Sequence, residues 1–196
     1  MNKNKLYNLI GDFSMSWWCW WSNTRFKDAI RDNKKVNDED LVSTYKQVQT
    51  LVAKLYKKFK WTADGPDQLW DAMTPPPQNY QHYLDGLLKD DCDGFHALVY
   101  HCLYNSGIKC SLFTANAINS GHCILVFTLN SKWYVVDYSK VYKGYDTLEE
   151  AIDEYNKVYP TIYKSKEILF NGFVQYNYET GKWFRTSAKR LTEKEN

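Results

Sequence analysis

The sequence predicts an α+β fold in which N-terminal helices precede a central helix packed on a mainly antiparallel sheet. Three observations predict it. Apolar residues recur at helical spacing between Leu41 and Phe59. A second helical run starts at Asp93 and is stopped by Ser106-Gly107, glycine being the usual residue just past a helix end. Beyond Gly107 the chain turns to short β-like runs separated by turn residues.

Residues 1 to about 24 read as aromatic and irregular around Trp17-Trp18-Cys19-Trp20-Trp21, a cluster suited to folding back over a core or to a cleft wall or partner surface. Arg25 to Lys60 reads as helical. Leu41, Val48, Leu51, Val52, Leu55, Tyr56 and Phe59 make its apolar stripe, and Lys46, Gln47, Lys54, Lys57 and Lys58 its solvated face. Ala63-Asp64-Gly65-Pro66 is turn chemistry. Thr74-Pro75-Pro76-Pro77 cannot lie inside a helix, because proline lacks the donor and clashes with the preceding turn. A short helical piece is expected from Asp67 to Met73 and another from Tyr80 to Leu88.

The helix from Asp93 to Asn105 shows a core face of Phe95, Leu98, Val99, Cys102 and Leu103, with Cys92 at its mouth and Cys102 as a small apolar filler. Ile108 to Ala115, Cys123 to Leu129 and Trp133 to Tyr138 read as strands. The last two are joined into an antiparallel hairpin by Asn130-Ser131-Lys132. Thr147-Leu148-Glu149-Glu150 is a capping signature opening a helix to about Val158, which Pro160 closes. Glu167 to Tyr178 and Lys182 to Thr186 form a second hairpin, and Ala188 to Asn196 a frayed, charged tail.

One domain is expected, with 1–60 an aromatic and helical extension, 61–186 the core and 187–196 the tail. At 196 residues it can bury a core without disulfide staples. A net charge of +2 without a basic stripe speaks against nucleic acid as a partner. No apolar stretch is long enough for a membrane span. Asn8 and Asp12 interrupt the N-terminal apolar run, and no small-residue cleavage site precedes the tryptophans, so no signal peptide is read there. Cys19, Cys92, Cys102, Cys110 and Cys123 are odd in number and without Cys-x-x-Cys spacing. Free thiols in a reducing compartment, the cytoplasm, are expected.

Cys92, His122 and Asp137 carry the chemistry. Unpaired N–H groups and the helix dipole favour a thiolate at a helix start. His122 begins one hairpin strand and Asp137 ends the next, so antiparallel pairing brings them together. A thiolate can then attack a carboxamide, with an imidazolium to protonate the leaving amine and a carboxylate to fix the imidazole tautomer. Asp90, Asp91 and Asp93 crowd the thiol, which opposes its ionisation, although part of that charge can cap the helix. His96, one turn along, is an alternative base that Asp137 would not easily orient. The histidines His82, His96, His101 and His122 lack zinc-site spacing relative to the cysteines, so neither metal nor cofactor is expected.

Cys92-Asp93-Gly94-Phe95-His96-Ala97, Gly107-Ile108, Gly121-His122 before an apolar strand, and Trp133-Tyr134-Val135-Val136-Asp137 together resemble the core of the transglutaminase-like superfamily, in the papain-like fold group. The resemblance covers about residues 60 to 140, and Asp91 resembles an acidic residue often found in bacterial and phage-type members. It implies Cys92 as nucleophile, His122 as general base and Asp137 as its orienting partner. It also implies an oxyanion hole from the Cys92 N–H and an upstream donor, for which Gln81, Tyr80 and His82 are candidates. Trp133, His96 and Trp70 are candidates for the substrate cleft. The chain departs from the family at Cys123-Ile124-Leu125, where an aromatic residue often follows the histidine. The expectation is a thiol-dependent peptidase or amidase acting on a peptide or protein through an acyl-enzyme. The alternatives are an inactive binding module of the same fold using its Trp-rich N-terminal region, and an acyltransferase or cross-linking enzyme. Nothing in the sequence encodes an amine-acceptor site or calcium ligands for the last.

Overall fold

The computed structural model describes residues 3–29, 35–62, 72–117, 120–158 and 168–193. The alternating runs after Gly107 form a six-stranded sheet. Its strands are β3 (Cys110–Ala117), β4 (Ser120–Leu129), β5 (Lys132–Asp137), β6 (Lys140–Val141), β7 (Ile168–Asn177) and β8 (Lys182–Thr186), in the order β6-β5-β4-β3-β7-β8. Every neighbouring pair is antiparallel. A separate parallel pair joins β1 (Lys60–Trp61) to β2 (Lys89–Asp90) just upstream of Cys92.

The strand period of two sorts the sheet's side chains into two cores. Leu112, Cys123, Leu125, Phe127, Val136 and Val174 join the larger one, which takes in α1 (Lys3–Arg25), α2 (Tyr45–Lys58), α3 (Pro76–Leu84) and α4 (Cys92–Asn105). Phe113, Ile124, Val126, Val135 and Phe173 face the other way. They are covered by Leu148 and Ala151 of α5 (Leu148–Val158) and by Leu191 of α6 (Ala188–Thr192). The α+β class is therefore as expected, with helices on both faces of the sheet.

Several elements differ from expectation. Residues 3–25 are helical, because Met15, Cys19 and Ser22 recur at i, i+4, i+7 and pack on β7 and β8. Tryptophans on neighbouring faces hide that stripe in the sequence. Among the described residues of the expected Arg25 to Lys60 helix, α2 and a 3-10 turn at Asp38–Asp40 are helical; residues 30–34 lie outside the described residues. A Thr44/Gln47 capping box fixes where α2 begins: the Gln47 N–H donates to Thr44 Oγ1 (3.3 Å) and the Thr44 N–H to Gln47 Oε1 (3.0 Å). Lys54, read as solvated, pairs with Glu39 (2.8 Å) and with buried Asp40 (2.7 Å).

Helix α3 begins earlier than Tyr80, with Pro76 and Pro77 in its first turn, where a missing N–H loses nothing. Of the short helix expected at Asp67 to Met73, residues 67–71 lie outside the described residues, and Ala72 and Met73 are buried without regular structure. Helix α4 is buried on all sides from Asp93 to Leu103, not along one face, since α2, α3 and the sheet all pack on it. The expected frayed tail is ordered as α6 as far as Thr192: Ser187 accepts from the Arg190 N–H (3.2 Å) and Leu191 is buried.

Candidate active site

The start of α4 is built by three aspartates. Asp91 Oδ1 accepts the Asp93 N–H (3.1 Å) as the cap, leaving half-buried Cys92 as the first helical residue. Asp90 folds back instead: Oδ1 accepts the Asp91 N–H (2.9 Å) and Oδ2 the Thr74 hydroxyl (3.2 Å). Its carboxyl lies on Gly94, where a Cβ would come within 2.0 Å of Asp90 Cγ. Carboxylate oxygens of Asp90, Asp91 and Asp93 lie within 4.8 Å of one another. Much of the acidic crowding around the thiol therefore serves the helix start.

Gly94→Ala must push Asp90 off this seat. We expect it to lower stability by about 1–3 kcal/mol in urea denaturation, the usual range for overpacking. Asp90→Ala in the same chain should recover part of that loss, because the two sites touch.

Across the sheet, the β4–β5 ladder runs up to Leu125 opposite Val136. Continued by one step, that register would set Asp137 opposite Ile124, with His122 as its diagonal neighbour. His122 Nε2 sits 2.8 Å from Asp137 Oδ1, with the two side chains 10% and 1% exposed. Past the end of the ladder the Cys123 N–H donates to Cys92 Sγ at 3.4 Å. The sulfur thus rests against the backbone directly following His122. With Nε2 turned to the carboxylate, Nδ1 is the ring nitrogen suited to a thiol.

His96 is fully buried and spans the gap between α4 and the end of β5. The Tyr138 N–H donates to its Nε2 (3.0 Å), so Nε2 is an acceptor and the proton resides on Nδ1, which donates to the Cys92 carbonyl (2.5 Å). Burial, then the neighbouring His122, push its pKa down to about 3. The His96 ring lies 6.2 Å from that of His122. With its lone pair occupied and its charged form disfavoured, His96 is a clamp, which removes it as the alternative base and as an open cleft wall. Tyr138, which supplies the amide, sits at φ 46°, in the left-handed region that non-glycine residues seldom adopt.

The other candidates lie elsewhere. Trp133 is buried in the second core and bridged to Tyr145. The Tyr80 hydroxyl is buried, donating to Asp40 (3.0 Å) and accepting the Asn37 N–H (2.9 Å). Gln81 donates to Asp85 at the C-cap of α3 (2.7 Å), and His82 Nε2 lies 2.6 Å from the Gln78 amide nitrogen within α3. Trp70 lies outside the described residues. Residues not singled out by sequence do reach the site: Asn79 donates to the Gly94 carbonyl (3.1 Å), Thr74 holds Asp90, Tyr138 lies near Cys92, and Trp61 pairs with Asp90. The Cys92-Asp93-Gly94 motif points to the helix start, but no short-range signal marks these partners, which come from other elements.

All five cysteines are free thiols. Burial pushes Cys19 up to about 12 and raises Cys102 and Cys110 well above the ordinary range. Among the described residues no helix is long and apolar enough to cross a membrane.

No protein-family model matches the chain, and no curated protein matches it. Among solved structures it is similar to a candidate cysteine protease of Cytophaga hutchinsonii, with 14% identity and a TM-score of 0.38, over 63% of this chain and 39% of that one. It is also similar to calcium-bound LapG of Legionella pneumophila, with 23% identity and a TM-score of 0.41, over 54% of this chain and 61% of that one. EGTA-treated LapG gives 21% identity and 0.41, over 59% and 63%. The chain thus spans less than two thirds of each. At these values the overlap is one of partial chain path, and the chemistry rests on this chain's own residues.

Proposed function

We propose that the protein is a transglutaminase-like thiol hydrolase that cleaves an amide bond in a peptide or protein, with Cys92 as nucleophile, His122 as general base and Asp137 orienting it. The observation that carries this reading is the buried His122–Asp137 pair next to a helix-start cysteine whose sulfur meets the Cys123 N–H. The Cys92 thiol gives its proton to His122 Nδ1 and the sulfur adds to the carbonyl carbon. The C–N bond breaks as the amine takes that proton, leaving a thioester. Water, deprotonated by His122, adds to the thioester and releases the acid and the thiol. The Cys92 N–H, at the first position of α4, is the donor this reading assigns to the oxyanion. The five free thiols support a reducing, cytoplasmic setting.

Iodoacetamide alkylation followed by mass spectrometry from pH 5 to 9 tests it. Cys92 is expected to react about tenfold or more faster than any other cysteine near pH 6, because an imidazolium partner lowers a thiol's pKa. Three of the other four are raised by burial, which widens the contrast. His122→Ala is expected to remove the advantage; equal behaviour of both proteins counts against the triad. A second reading, a binding module of the same fold, is favoured by Phe13, Trp17 and Trp20, which lie exposed at i, i+4, i+7 along α1. It predicts that Cys92 has no such advantage.

A further inference from the structure

We propose that Trp61, backed by Tyr138, is the wall of a subsite beside Cys92 that takes an apolar, preferably aromatic, side chain of a peptide substrate. This rests on Cys92 being the nucleophile. The placement comes from the short parallel pair: Trp61 stands opposite Asp90, two residues before Cys92. Backbone bonds hold it there, from the Lys60 N–H to the Leu88 carbonyl (3.3 Å) and from the Thr62 N–H to the Asp90 carbonyl (2.9 Å).

Trp61 is nevertheless 62% exposed. A lone exposed aromatic needs no explanation, but this one is neither lone nor loose. Its side chain neighbours the Tyr138 hydroxyl. The Tyr138 ring lies 5.5 Å from that of His122, 6.1 Å from Tyr56 and 6.2 Å from Phe59. Tyr138 therefore links the exposed Trp61 side chain to the ring of the proposed general base.

The chemistry of the occupant follows from the walls. Flat ring faces reward apolar and aromatic side chains by burial and stacking. The carboxylates of Asp90, Asp91 and Asp93 at the helix start repel an anionic side chain. A residue adjoining the scissile carbonyl can reach Trp61 because the tryptophan is anchored to the same strand pair that leads into Cys92.

The test uses peptidyl chloromethyl ketones that alkylate the cysteine sulfur with loss of chloride and that differ only in the side chain next to the reactive carbon: phenylalanine, leucine, lysine, glutamate or glycine. Each rate on Cys92 is divided by the same protein's iodoacetamide rate. Phenylalanine is expected to exceed glycine by about tenfold or more, with glutamate slowest, which corresponds to burying most of one ring. Trp61→Ala should remove most of the phenylalanine preference through weaker reagent binding, with little change in the saturated rate, and Trp61→Phe should restore most of it. A ranking untouched by Trp61→Ala, or one led by lysine, overturns the subsite alone. Failure of Cys92 to outpace the other thiols with iodoacetamide overturns the thiol-enzyme reading, and the subsite with it.

Discussion

Asp137→Ala is expected to slow Cys92 alkylation at pH 6 by about a hundredfold or more, and Asp137→Asn by about tenfold. The two variants separate two roles. Asparagine keeps an oxygen to accept the His122 Nε2–H and so preserves ring orientation, but it lacks the charge that stabilises an imidazolium. Alanine loses both. It also strips a nearly buried N–H of its acceptor in a pair 2.8 Å long, so stability should fall by about 1–3 kcal/mol in urea denaturation. If the alanine protein were alkylated as fast as the parent, Asp137 would only be closing the end of β5 and the triad would have to be abandoned.

His96 adds to the acid sensitivity of the fold. Its pKa is lowered from 6.5 to about 3, so the native protein binds fewer protons than the unfolded chain between those values. Stability from this group is therefore fully present above 6.5, falls as pH drops below it, and is lost by the time pH passes the native value. Between pH 7 and 4.5 the loss comes to about 2–3 kcal/mol. His96→Gln can still donate to the Cys92 carbonyl and accept from the Tyr138 N–H, yet it does not titrate. Urea unfolding at both pH values should show the parent losing about that much more than the glutamine variant, since the carboxylates are common to both. Equal losses would mean that His96 is not held neutral in the native state.

The legible parts of this fold are those written in local pattern. The stripe Val48, Leu51, Val52, Leu55, the strands after Gly107 and the Thr147/Glu150 cap appear close to where periodicity and turn chemistry put them. The chain order of Cys92, His122 and Asp137 was equally readable, because a helix start and a hairpin are local features. Illegible were contacts made between elements far apart in the chain. The two bonds of His96 tie one helix to the end of a strand 42 residues on. Trp61 approaches Cys92 through a two-residue parallel pair too short to leave a pattern. Trp133 misled because a tryptophan before an apolar run suits a cleft as well as a core, and only the second face of the sheet decides between them.

Asn23 lays its side-chain amide along the outer strand β8, accepting the Trp183 N–H at 2.8 Å and donating to the Trp183 carbonyl at 2.9 Å. It mimics one more rung on an edge that would otherwise invite another chain. The two residues are separated by 160 positions. On the ribosome, α1 emerges long before the strand that receives it and must wait with its apolar stripe bare until the final hairpin is synthesised. A stripe left bare in that interval is the kind of transiently exposed apolar surface that favours aggregation.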